Sequence, residues 1–103
     1  MIQFKNLSQD APYSIFKDRY DESLNANQTN IEAMCIASYS STEKEANARF
    51  VNLKFIYDKD FIFFSNYNSP KSKDFISHSQ ITALIYWNSI NVQIRMKAKI
   101  KPT

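Results

Sequence analysis

No glycine occurs among the 103 residues of this chain. Glycine is the residue that reaches positive φ without steric penalty, and it closes most tight hairpin turns. A chain that lacks it must turn on Asn and Asp, whose short polar side chains bond locally and tolerate the left-handed region. Asn25, Asn27, Asn47, Asp58, Asn66, Asn68 and Asn88 are expected in that role. The same absence removes both Gly-rich nucleotide loops, the Rossmann turn and the P-loop. Any phosphate this chain binds must be held by side chains and a helix terminus.

Hydrophobic periodicity then lays out the elements. From Pro12 the residues Ile15, Phe16, Tyr20 and Leu24 recur at helical spacing, which predicts an amphipathic helix ending in a polar linker over 25–30. Residues 1–10 read as a loosely held arm. Ala33 to Tyr39 is a short apolar run, consistent with a buried strand, and 40–47 reads as a turn. Residues 48–57 form the next strand, Asp58-Lys59-Asp60 turns the chain, and 61–65 pairs back as a hairpin. Ser69 followed by Pro70 starts a short helix to about His78, with Phe75 and Ile76 facing the core. Ile81 to Trp87 is almost continuously apolar, as in a strand covered on both faces. After a turn at Asn88 and Ser89 comes a clean alternation, with Val92, Ile94, Met96, Ala98 and Ile100 on one face. Five short strands and few helices predict a mostly β fold, antiparallel, closed as a barrel or sandwich in a single domain over 1–103.

Bulk properties exclude several functions. With 44% hydrophobic and 22% charged residues the chain is ordinary globular material, and 15% aromatics give it large side chains to bury. A net charge of +3, with the basic residues mostly interleaved among acidic ones, fits a local anion site and not a nucleic-acid surface. No apolar run approaches the ~20 residues of a membrane-spanning helix. The single cysteine, Cys35, cannot form an internal disulfide; it fits a reducing cytoplasm and reads as a buried packing residue. His78 reads as a helix-end residue and not as a catalytic base.

The chemistry concentrates in two segments, 48–54 (Ala-Arg-Phe-Val-Asn-Leu-Lys) and 63–71 (Phe-Phe-Ser-Asn-Tyr-Asn-Ser-Pro-Lys). They set Arg49 and Lys54 on a strand and Lys71 at a helix start, with hydroxyl and amide groups between them and aromatics around them. That combination suits a ligand with a phosphate at one end and a flat apolar ring at the other. Individually each residue also reads as a solvated surface group, and strict alternation sets Arg49 and Lys54 on opposite faces unless a bulge intervenes. The row Arg95, Lys97, Lys99 and Lys101 reads as a solvated or charge-protected strand face.

In order along the chain, these pieces resemble the pyridoxamine 5′-phosphate oxidase family. The pieces are Ala33-Met34-Cys35-Ile36-Ala37-Ser38, Arg49-Phe50-Val51-Asn52-Leu53-Lys54, Phe63 to Lys71, Ala83 to Trp87 and Val92-Gln93-Ile94-Arg95. The resemblance runs from about Pro12 to the end and corresponds to the family's N-terminal portion, so the chain reads as a shortened form. It implies a flavin mononucleotide (FMN)-binding split β-barrel, antiparallel and Greek-key-like, with an N-terminal helix and a short helix between strands. It further implies a homodimer with FMN between the subunits, acting on pyridoxine or pyridoxamine 5′-phosphate to form pyridoxal 5′-phosphate in vitamin B6 metabolism. By the same resemblance Arg49 and Lys71 contact the flavin phosphate, and Phe64 and Ser65 flank the cofactor. Lys54 binds both flavin and substrate, Gln93 bonds the flavin, and Phe50, Val51, Asn52 and Leu53 of the same strand also bind the cofactor. Two positions depart from the family pattern, with Pro70 and Val92 standing where it has arginine. The alternative is a non-catalytic split-barrel dimer that binds flavin or phosphate.

Overall fold

In the computed structural model, which describes residues 1–41, 43–64 and 80–100, six residues adopt positive φ: Asn6, Asn27, Asn30, Lys44, Asp58 and Asn91. Five of these are Asn or Asp, as a chain without glycine requires. Asn27 and Asp58 are where the sequence predicts them. Asn25 is instead the last helical residue, Asn47 lies within a strand, and the turn opened by Asn88 places its left-handed residue at Asn91. Asn66 and Asn68 lie outside the described residues, as do the expected helix from Ser69 to His78 and the departure at Pro70.

The chain order is β1 (Gln3–Lys5), α1 (Ala11–Asn25), β2 (Ala33–Ser40), β3 (Glu45–Tyr57), β4 (Asp60–Phe63), β5 (Gln80–Trp87) and β6 (Val92–Lys99). They form one six-stranded sheet in the order β1-β3-β2-β5-β6, with β4 also pairing β3. The long strand β3 organises it. Its first half pairs antiparallel with β2 from Glu45 to Asn52, and its second half pairs with β4 and, in parallel, with β1. Between the halves the register shifts at Leu53/Phe55, a bulge that leaves Lys54 as the extra residue and bends the strand. The first ten residues are therefore not a loose arm. Ile2 is buried, β1 adds a strand, and the Asp58 N–H donates to the Lys5 carbonyl.

Helix α1 begins where Pro12 allows it and packs through Phe16, Tyr20 and Ser23, a stripe of i, i+4 and i+7. That stripe leaves Ile15 in solvent and Leu24 only half-covered, against the expected core role for Ile15. Phe16 meets Phe61 and Trp87 at ring-centroid distances of 5.3 and 5.4 Å, and Tyr20 meets Phe4 at 5.0 Å. One helix thus ties β1, β4 and β5 together. Polar groups that this packing buries are paired. The Trp87 indole N–H donates to the Ile31 carbonyl at 2.9 Å, and the Ile2 N–H donates to the Tyr20 hydroxyl at 3.0 Å.

The sheet consequently has an inner face under α1, built from Met34, Ile36, Val51, Leu53, Ile56, Ile81, Ala83, Ile85 and Trp87. Its outer face carries the alternate residues. β5 shows the division clearly. Ile81, Ala83, Ile85 and Trp87 are buried, whereas Thr82 and Leu84 are half-covered and Tyr86 is exposed. The near-continuous apolar run is thus covered on one face by this chain and not on both. No helix of the described residues is long and apolar enough to cross a membrane.

Candidate functional site

Strand β3 carries most of the predicted site residues and divides them between the two faces. Val51 and Leu53 point inward and are buried, Leu53 completely; the Leu53 N–H donates to the Glu32 carbonyl at 2.8 Å. Their side chains build the core. Phe50 points outward at 74% exposure, and Asn52 and Lys54 are exposed on the same side. Lys54 emerges from the bulge, which re-aims its side chain relative to the residues before it. Phe64 follows β4 at 69% exposure and packs its ring edge-on against Phe55 at 6.4 Å.

Arg49 lies on the other face. It is half-buried, in register with Ile36 of β2, and shares the inner side with Ser38 and Asn47. The bulge falls at Lys54 and not between the two cations, so the alternation between Arg49 and Lys54 is preserved. A ligand that uses both must reach around β3. Ser65 and Lys71, the remaining residues of this set, lie outside the described residues.

Gln93 is exposed on β6, directly opposite Tyr86 of β5. A lateral row on the outer face runs Phe50, Cys35, Leu84, Arg95 across β3, β2, β5 and β6. Gln93 stands one outer-face position further along β6. It is therefore three strands from β3, roughly 14 Å at the usual inter-strand spacing. Within one chain the outer face holds two clusters, Phe50-Asn52-Lys54-Phe64 and Tyr86-Gln93.

Several exposed residues of this face stand outside the predicted cofactor-binding set. Tyr86 is 55% exposed, with its hydroxyl 3.5 Å from Asn91 Oδ1, and Tyr39 and Ile62 also stand in solvent. Of the two aromatics that end β5, Trp87 is locked in the core against α1 and Tyr86 stands outside it. Cys35 is half-covered on the outer row, where a fully buried packing position was expected. The signal that separates Tyr86 from Trp87 is the period of two along β5, which an all-apolar run conceals. The face as a whole is an exposed apolar surface with amide, tyrosyl and cationic groups at its margins, the composition of a surface that receives another molecule. Among the described residues no three His, Cys, Asp or Glu side chains come together as a metal site.

The chain is 30% identical over 92 residues to a pyridoxine/pyridoxamine 5′-phosphate oxidase from Burkholderia lata, covering 89% of this chain and 42% of that protein. It is 32% identical over 90 residues to the protein of the same name from Cupriavidus taiwanensis, and 30% identical over 90 residues to that from Trichormus variabilis. The chain thus spans about two fifths of the length of the curated relatives it matches. Among solved structures, PhzG from Burkholderia lata, crystallised with tetrahydrophenazine-1-carboxylic acid, superposes with a TM-score of 0.79 at 20% identity. That superposition covers 85% of this chain and 43% of PhzG, and it shows the split-barrel fold. No family model matches the chain.

Proposed function

Because this chain belongs to the pyridoxamine 5′-phosphate oxidase family of split barrels over the region it spans, we propose that it binds flavin mononucleotide as a homodimer and serves flavin-dependent oxidation of a phosphorylated pyridine substrate. The observation that carries this reading is the outer sheet face. There Phe50 and Phe64, 74% and 69% exposed, flank a bulge that presents Lys54. Exposed aromatics beside a cation fit a flat ring bearing polar edges.

The residues present suit the group. Arg49 offers a guanidinium that grips a phosphate through two parallel hydrogen bonds, and Lys71 is the second phosphate cation in this reading. Phe50 and Phe64 cover the ring, Asn52 and Ser65 meet its polar margin, and Val51 and Leu53 hold the strand rigid beneath them. Lys54 stands toward the substrate phosphate. Bound flavin would supply the two-electron redox chemistry of the oxidation.

The separation of Gln93 from Phe50 supports the dimer. A ligand lying against the β3 cluster of one chain is reached by Gln93 most directly if a partner's β5–β6 edge packs across it. The exposed apolar face is then covered by the partner and by the flavin. Localisation in the cytoplasm accords with the single, unpaired cysteine.

Titration of the purified chain with FMN tests the reading. Flavin fluorescence should be quenched to a stoichiometry near one per chain, and sedimentation should report a dimer at micromolar concentration. Pyridoxine 5′-phosphate added to the loaded protein should yield the aldehyde in a coupled assay. Absence of flavin binding removes the proposal. Flavin bound without turnover selects the non-catalytic binding form.

A further inference from the structure

The sheet ends on one side in β6, which among the described residues pairs with β5 alone. Around β3, at the other margin, β1 and β4 are three and four residues long, and edges that short offer little to pair with. β6 runs for eight residues, Val92–Lys99. Its backbone groups directed away from β5 form a row of donors and acceptors along that whole length.

The two faces of this edge differ. Gln93, Arg95, Lys97 and Lys99 are exposed on the outer face, and their cross-strand neighbours Tyr86, Leu84, Thr82 and Gln80 include no acid. On the inner face Ile94 and Met96 pack against the core but stay partly exposed, whereas Ile85 and Ala83 opposite them are buried. The core therefore continues past β5 and stops half-covered at β6. A strand laid along this edge completes that cover and pairs the row of backbone groups.

Charge decides which strand. A second copy that pairs antiparallel through β6, with the apolar residues on one face, sets Arg95, Lys97 and Lys99 against one another or against Gln93. Like charges directly opposite destabilise a strand pair, so these residues oppose self-association along the edge. The same charges favour a strand with acidic side chains at its outer positions. We propose that the edge of β6 receives an extended segment of a partner protein in which acidic and apolar residues alternate. Main-chain hydrogen bonds supply affinity in such strand addition, and the alternate side chains supply specificity. The contact centres on residues 94–99 and does not depend on the flavin reading.

The test uses the full chain and capped eight-residue peptides, measured by fluorescence anisotropy and by amide hydrogen exchange. A peptide alternating Glu and Val should bind and slow exchange in β6 while leaving β1 unchanged. A peptide alternating Lys and Val, or one with four Glu followed by four Val, should bind at least about tenfold more weakly. Lys97→Glu with Lys99→Glu should invert the preference toward the Lys–Val peptide, and that gain also shows that the variant is folded. Flavin binding should be the same in the variant and the unsubstituted chain. Equal binding of the Glu–Val and Lys–Val peptides, or protection outside β6, overturns the proposal. So does protection of the outward β6 amides without peptide in a dimer, which makes a second copy the occupant.

Discussion

The two faces of the same sheet are built from adjacent residues and do opposite things. Leu53 is completely buried under α1, while Phe50, three positions earlier on the same strand, is 74% exposed. Trp87 has its ring packed and its N–H bonded in the core, while Tyr86 beside it faces solvent. The inner set is held by one helix and a ring of aromatic contacts and contributes stability. The outer set gains little from folding of this chain, Phe64 meeting Phe55 edge-on, so most of its apolar area remains available to another molecule.

Truncating the inner face should have the greatest consequence. Trp87→Ala removes the residue that joins Phe16, Tyr20 and Ile31, and should lower unfolding free energy by about 3–5 kcal/mol. Against the ~5–15 kcal/mol of a typical domain that is enough to leave much of the chain unfolded, as read by urea denaturation. The matching change outside, Phe50→Ser with Phe64→Ser, should shift stability of the isolated chain by no more than about 0.5 kcal/mol. It should nonetheless abolish flavin quenching and shift sedimentation toward monomer. Equal stability losses from the two sets would erase the distinction drawn between the faces.

Two smaller tests concern turns and edges, away from both faces. Lys44 is the positive-φ residue that is neither Asn nor Asp, with φ of 55°. Lys44→Gly should raise stability by about 1 kcal/mol, the strain of a left-handed residue bearing a side chain. The Lys59 ammonium lies 3.0 Å from an Asp10 carboxylate oxygen, and that hydrogen bond and charge raise its pKa above the usual 10.5. A raised lysine pKa means that the pair's stabilisation is complete below 10.5 and fades as pH rises through the higher folded value. Both groups are exposed, so Asp10→Asn should produce only a slight change in thermal midpoint at pH 7, and none above the raised pKa.

Much of the fold was legible in the residues because it depends on local rules. Pro12 and the spacing of Phe16 and Tyr20 mark α1, Asp58-Lys59-Asp60 marks a hairpin, and the alternation from Val92 marks β6. Residues 1–10 escaped because β1 is held by parallel pairing to Phe55, Ile56 and Tyr57, some fifty residues away, and its own three residues carry no distinctive period. The candidate site was legible as a set of side chains but not as an arrangement. Phe50 and Arg49 are neighbours in the sequence and lie on opposite faces, and Phe50 and Gln93 share a face but stand three strands apart.

By itself the sequence determined the turn chemistry, the helix, the strand segments and the kinship, because each follows from residue type and short-range spacing. Absent glycine forced asparagine and aspartate into the left-handed positions, and period-two alternation assigned the faces wherever polar residues broke the pattern. Only the tertiary structure decided which apolar residues were covered. Burial depends on where α1 docks and on how β3 bends at Lys54, and both are set by contacts between residues far apart in the chain. That docking put Trp87 inside, left Tyr86 and Phe50 outside, and turned Arg49 toward the polar end of the inner face.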